Sequence, residues 1–253
     1  MKSLRTFEIV EYVEKRKFCS IAELMEKFRV SPATIHRDIS ALVSAGQLRK
    51  VHGGVASLTS SQAAVPPKDI LPSHYRERMN LDMPAKKAIA EQAFREIRDG
   101  DIVFLDSSTT VYFLAKRLQS AAFANLTIIT NSVLIIQEFT NFPPHFFLVA
   151  LGGNYDVQLN AFLGQAALRE AERLKLDKSF ISGIGLTENG VFSRHENHTF
   201  LLQRILELSR KNFLLIGSSK FGRAGLFSIA PLSSFDKIIS DKELPPYARP
   251  AAR

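Results

Sequence analysis

The chain has 253 residues, a formal net charge of +8, 45% hydrophobic and 23% charged residues, and a single cysteine, Cys19. That balance excludes a disordered chain, apolar runs such as Phe146 to Leu151 are far too short to cross a bilayer, and one cysteine excludes an intramolecular disulfide. The N-terminus lacks the apolar core of a signal peptide, so a cytoplasmic protein with an anionic partner is expected.

Residues 5–16 carry Phe7, Ile9, Val10 and Val13 at helical spacing. Ser20 caps a second helix, with Glu23 completing a capping box and Ala22, Leu24, Met25 and Phe28 as its apolar positions. After a turn at Arg29-Val30 comes a third helix, Ser31 to about Ala45. Ser31 suits its N-cap, and Pro32 the first position, where a missing N–H costs nothing. Ile35, Ile39, Leu42 and Val43 give this helix a buried face. Its other face presents Ala33, Thr34, His36 and Arg37 from the first turns. Arginine suits guanine edges or phosphates, and threonine or alanine the thymine methyl, so this is the pattern of a DNA-reading helix. Gly46 ends the helix, Leu48–Val51 reads as a strand, and His52-Gly53-Gly54 as the turn of a small wing. Residues 1–56 are therefore expected to form a winged helix-turn-helix, with Arg49, Lys50 and His52 placed to touch phosphate or minor groove. Ten Lys and Arg against six acids leave residues 1–54 at net +4.

The spacing Arg5-x3-Ile9-x3-Val13, then Ser31-x2-Thr34-Ile35-His36-Arg37-Asp38-Ile39, Gly46 and Arg49-x2-His52-Gly53-Gly54 resembles the DeoR family of bacterial transcriptional regulators. The family's usual motif has Arg where this chain has His36.

Residues 57–84, rich in Ser, Thr and Pro, read as a linker, with a helical turn at His74–Arg78. Beyond it, amphipathic and apolar segments alternate. Helices are expected over 86–97, 110–118, 132–139, 166–174 and 199–210. Strands are expected over 102–105, 126–130, 146–151, 179–182, 213–216 and 237–240. Continuous apolar strands between helices indicate an α/β domain over 85–241 with a mostly parallel sheet covered on both faces, then a tail over 242–253.

Ligands in such sheets bind beyond the carboxyl ends of the strands. The residues found there form a polar set. Asp106, Ser107, Ser108, Thr109 and Thr110 follow the first strand and open a helix, where N–H and hydroxyl groups suit a phosphate. Thr130 and Asn131 follow the second strand. Gly152 and Gly153 follow the third and permit close backbone approach. Lys220 follows the fifth and supplies a point charge. Two histidines, His195 and His198, share a spacing compatible with one helix face; no further placed ligand accompanies them, and no metal or cofactor is expected.

Further stretches resemble the DeoR effector domain, related in fold to ribose-5-phosphate isomerase and CoA transferases: Lys87-x-Ile89-Ala90, Asp99-Gly100-Asp101, Phe104 to Thr110, Leu151-Gly152-Gly153, Asp177 to Phe180 and Ser218 to Arg223. The resemblance implies a DNA-binding regulator, a repressor of a carbohydrate-metabolism operon, controlled by a phosphorylated sugar or related metabolite. The chain departs from the family in having Gly217 where an Asp is usual and His195 where an acid is usual. With two acceptors gone, a phosphorylated sugar acid is the expected effector. The alternative is a sugar-phosphate isomerase or transferase with an appended DNA-binding module, which needs a placed general base. Because one winged helix reads a short half-site, a homodimer or higher oligomer on an operator duplex is expected.

Overall fold

The computed structural model describes residues 2–16, 18–51, 54–57 and 73–249. His52, expected in the wing turn, and linker residues 58–72 lie outside the described residues. The chain divides into two compact units between residues 70 and 71.

The first unit runs α1 (Lys2–Arg16), β1 (Phe18–Ser20), α2 (Ile21–Phe28), α3 (Pro32–Ser44), β2 (Leu48–Val51) and β3 (Gly54–Ser57). Ser20 and Ser31 are the N-caps expected of them, accepting from the N–H groups of Glu23 and Thr34. The turn between α2 and α3 closes with Arg29 in the left-handed region at φ 50. Gly46, at φ 65, relieves the same constraint after α3 at no steric cost. Ile9, Val13, Leu24, Ile35, Ile39, Leu42, Leu48 and Val55 form one buried core, closed by Cys19. Asp38, on the buried side of α3, is held by Arg5 Nε at 2.8 Å, which ties α1 to α3. β1 pairs antiparallel with β3, and β3 with β2, so the wing is a three-stranded sheet.

The second unit begins with α4 (Ser73–Asn80) and α5 (Met83–Phe94). Here the structure corrects the sequence reading of a linker to residue 84. α4 is a full helix docked through Tyr75, whose side chain is entirely buried. β4 (Ile102–Leu105), α6 (Thr109–Leu118), β5 (Thr127–Thr130), α7 (Val133–Gln137) and β6 (Phe147–Ala150) follow. Next come the hairpin β7 (Asn154–Asp156) and β8 (Ala161–Leu163), α8 (Gln165–Ala171) and β9 (Leu176–Ile181). The chain continues through β10 (Gly185–Thr187), β11 (Gly190–Ser193), α9 (Glu196–Leu208), β12 (Ser209–Leu215), β13 (Phe227–Ala230) and β14 (Lys237–Ile239).

Six parallel strands form the main sheet in the order β14-β12-β9-β4-β5-β6, and β10, β11 and β13 make a small antiparallel sheet. Alternation along each strand sends side chains to opposite faces. Val103, Leu105, Ile128, Phe213 and Leu215 pack with α5 and α6 in one core, and Phe104, Ile129 and Leu214 with α8 and α9 in the other. The strand order reverses direction between β4 and β9. In an open α/β sheet that reversal leaves a crevice at the carboxyl ends.

Candidate functional site

On the first unit, Ala33, His36 and Arg37 are exposed and Thr34 is half-buried, opposite the buried Ile35, Asp38 and Ile39. Ser31 accepts from the Thr34 N–H at 3.4 Å and shares a 3.0 Å hydrogen bond with the Thr34 hydroxyl, so these two shape the helix start as well as its surface. Arg49 and Lys50 are exposed on β2. Among the described residues, His36, Arg37, Arg49 and Lys50 make no ion pair or side-chain hydrogen bond. The charges of Arg37, Arg49 and Lys50 are available to a polyanion.

On the second unit, the crevice between β4 and β9 is built from the residues that end those strands. The Asp106 N–H donates to Phe180 O at 3.1 Å, and its fully buried carboxylate accepts from the Ser182 N–H at 3.3 Å and lies 2.8 Å from His198 Nε2. Burial alone would raise the Asp106 carboxyl. The His198 ring and the N–H groups of Ser107 and Ser182 outweigh it and hold the group below the usual carboxylate range. Ser108 then caps α6, accepting from Val111 N–H at 3.2 Å. Among the described residues, the N–H groups of Ser108, Thr109 and Thr110 make no hydrogen bond, so the start of a ten-residue helix offers three unspent donors at its positive end.

Lys220 approaches from beyond β12, donating to Gly183 O at 2.6 Å and Ser182 Oγ at 3.4 Å. It has no carboxylate partner among the described residues. Burial, together with the charges of Lys86 and Arg78, pushes its ammonium down to about 8. Arg78, on α4, donates to Gln158 O at 2.8 Å with its guanidinium 5.1 Å from the Tyr75 ring centroid. The Tyr75 hydroxyl donates to Ser107 O at 3.1 Å. Lys86 rests on the carbonyls of Arg78, Met79 and Leu81, and burial holds it also at about 8. Beside this cluster a cavity of about 520 Å³ opens past β12 and β14, lined by Asp82, Gly217, Ser218, Ser219, Asp241 and Glu243 among others. Asp82 accepts from Ser219 and Asp241 from Ser218.

Other residues singled out in the sequence make contacts within the fold. The Thr130 hydroxyl donates to Leu105 O at 2.6 Å and accepts from Ser132 N–H, so it fastens β5 to β4. The Gly152 N–H is spent on Glu170 at 2.7 Å, a carboxylate unfavourable to an anion, and a Cβ at Gly153 would collide with the Leu163 carbonyl. These glycines make a tight turn beyond the edge strand. Asn131 is buried, its amide donating to Phe162 O at 3.3 Å while Oδ1 lacks a partner among the described residues. The two histidines part company: His198 turns to Asp106, while His195 Nδ1 stands 4.0 Å from Asp156. Burial, with smaller contributions from His198 and Arg78, lowers the His195 ring below its ordinary range despite Asp156. His198 meets its partner across 92 residues of sequence and Arg78 lies in a stretch read as linker, so nothing local marked the role of either.

A helix-turn-helix unit with an open basic face, joined in one chain to an α/β unit with donors at its switch point, defines a DNA-binding regulator with a sensing domain. Residues 5–61 match the DeoR-like helix-turn-helix domain and residues 82–242 the DeoR C terminal sensor domain. The chain belongs to the DeoR family of helix-turn-helix transcriptional regulators. It is 32% identical to the HTH-type transcriptional regulator IolR of Bacillus subtilis, across 96% of this chain and 93% of that protein. It is 30% identical to the L-fucose operon activator of Haemophilus influenzae, across 94% and 91% of the two chains. Identity to the lactose phosphotransferase system repressor of Streptococcus mutans is also 30%, across 95% and 92%. Among solved structures, ribose 5 phosphate isomerase A from Neisseria gonorrhoeae is similar with a TM-score of 0.41 and 11% identity, over 56% of this chain and 54% of that one. No helix among the described residues is long and apolar enough to cross a membrane.

Proposed function

We propose that this protein represses a carbohydrate-metabolism operon in the cytoplasm, and that a phosphorylated sugar bound at the β4–β9 switch point controls its affinity for operator DNA. What supports the reading is that three N–H groups without a partner among the described residues open α6 directly after β4, while Lys220, an ammonium without a carboxylate partner among the described residues, is held on Gly183 and Ser182 just past the neighbouring β9. Ser107 to Thr110 and Lys220 hold the phosphate. Asn131 Oδ1 is an acceptor left over for a ligand hydroxyl.

The expected preference for a sugar acid is revised. It rested on an acceptor missing at Gly217, yet Asp241 Oδ1 lies 3.9 Å from where a Cβ at Gly217 would stand, and Asp82 and Glu243 line the same cavity. A polyhydroxylated phosphate suits that wall better than a second carboxylate, which it would repel. Catalysis is disfavoured because Asp106, the carboxylate that ends β4, is buried and committed to His198 and so is not free to act as a general base. The protein works as a homodimer or higher oligomer on a two-half-site operator, checked by sedimentation with and without DNA.

Calorimetry with the matched pair D-glucose 6-phosphate and D-gluconate 6-phosphate tests the effector reading. The neutral sugar phosphate binds more tightly if the reading holds. Tighter binding of the sugar acid overturns the preference, and no binding of either overturns the site.

A further inference from the structure

The six-stranded sheet ends in two edges of opposite character. At one, β14 carries Lys237, ion-paired with Glu96 at 2.6 Å, and Asp236 and Asp241 flank the strand. Charge on an edge is a usual guard against a strand from another chain. At the other edge, β6 pairs with β5 alone among the described residues, and from Phe139 to Tyr155 the sequence holds no Asp, Glu, Lys or Arg. Phe146 to Leu151 is an unbroken apolar run, with no proline or glycine inside it and no bulge in its pairing to β5. Phe147 is 63% exposed, and Ala150 is exposed as well. A regular apolar edge of this kind attracts another strand, and none of the usual guards is present to prevent it.

The backbone pattern favours one partner. The N–H groups of Phe147 and Leu151 donate to Leu126 O and Thr130 O, each at 2.9 Å. Alternation therefore turns the N–H and C=O of Leu148 and Ala150 away from β5, where they have no hydrogen bond among the described residues. A second β6, laid antiparallel across a two-fold axis at Val149, sets each Leu148 opposite the partner's Ala150. Those are pairs in which both residues exchange N–H and C=O, so every outward group of Leu148 and Ala150 is used. Val149 then meets its own copy in the close position without hydrogen bonds, and Phe147 faces the partner's Leu151. The uncharged segment has nothing to repel its copy, and it serves as both surface and partner, as an isologous interface requires. Each Phe147 ring, of a type that buries roughly 150–250 Å² when covered, adds apolar area to the hydrogen bonds.

We propose that β6 is the seam of a symmetric dimer, in which two copies join edge to edge through Phe147 to Ala150 and the two six-stranded sheets become one. This rests on the oligomeric reading above and adds to it the surface that joins the copies.

The test uses the full-length protein. Proline is tolerated on an edge strand where the N–H faces outward, so Ala150→Pro keeps the pairing of β6 with β5 while removing a donor from the seam. Phe147→Lys puts a charge on the seam at a position already exposed. By sedimentation at micromolar concentration the wild type is a dimer or larger. Each variant falls to half the wild-type mass with unchanged circular dichroism, and binds a duplex selected from a random-sequence library at least tenfold more weakly. Cross-linking reads the register. Val149→Cys meets its own copy with Cα atoms about 4.5 Å apart, within reach of a disulfide, and forms a linked dimer when oxidised with diamide. Phe147→Cys, which faces the partner's Leu151, does not. The native Cys19 is fully buried and takes no part. If the wild type is a dimer, both variants keep its mass and Val149→Cys fails to link, the oligomeric reading stands and this inference is wrong. A wild type that sediments as a monomer overturns both. Should Ala150→Pro fail to fold, Phe147→Lys and the Val149→Cys link decide between the same outcomes.

Discussion

With Lys220 on the phosphate as proposed, effector binding should weaken at alkaline pH. Its ammonium is held down to about 8, against an ordinary 10.5, by burial and by the Lys86 and Arg78 charges, with Asp106 and Asp82 opposing. A phosphate beside it favours the charged form and returns its pKa toward the ordinary value. Between pH 7.5 and 9.5 the free site loses its proton while the occupied site keeps it. The protonated fraction of the free site drops from roughly three quarters to about 3%, so affinity falls roughly 20-fold, about 1.8 kcal/mol. Sugar phosphates are dianions throughout this range, with a second pKa near 6, so the ligand contributes no slope of its own. Calorimetry of D-glucose 6-phosphate across these pH values is the assay. The logarithm of the association constant should fall by about one per unit above pH 8, and Lys220→Arg, which stays charged, should flatten it. A slope approaching two adds Lys86. A flat wild-type profile would refute the placement of Lys220 on the anion.

Replacing Arg37 by Ala should cost about 1–3 kcal/mol in binding the selected duplex, whereas Lys50→Ala should weaken all duplexes alike and reduce the salt slope by about one; equal losses on selected and random DNA with Arg37→Ala would make it a phosphate contact. Phe180 is fully buried with its ring stacked 4.9 Å from Phe213, so Phe180→Ala should destabilise the second unit by about 3–5 kcal/mol in urea unfolding; a loss below about 1 kcal/mol would contradict this packing. The depressed Asp106 carboxyl contributes stability that is fully present above the unfolded pKa of about 3.9 and is lost as pH falls through the lower folded value. Asp106→Asn should therefore be less stable than the wild type at pH 6, with the gap narrowing below about pH 4; a constant gap would mean the carboxylate's charge is not what stabilises.

Much of this architecture is written locally. Capping serines precede α2, α3 and α6, and apolar runs mark β4, β5, β6 and β12, because those signals operate within a turn or a strand. The hydroxyl-rich start of α6 is readable for the same reason. What escapes depends on distant partners. β1 and β13 are three or four residues long and gain their pairing from strands far along the chain, as Phe18 does from Ala56, while β7, β8, β10 and β11 are too short to show an alternation. Of residues 75–80 of α4, Tyr75 alone is buried, too few for a periodicity. The bond of the Thr130 hydroxyl to Leu105 O and that of His198 to Asp106 join residues far apart in sequence, so neither is legible locally.

The central claim is that occupancy of the switch-point site controls DNA binding. The most direct measurement is the dissociation constant of the full-length protein for its selected duplex, titrated with D-glucose 6-phosphate, in the wild type and in Lys220→Gln. The account predicts at least a tenfold change in the wild type, and in the variant an unaltered ligand-free affinity with the response lost. A DNA affinity indifferent to the sugar phosphate in the wild type, or a full response in Lys220→Gln, would contradict it.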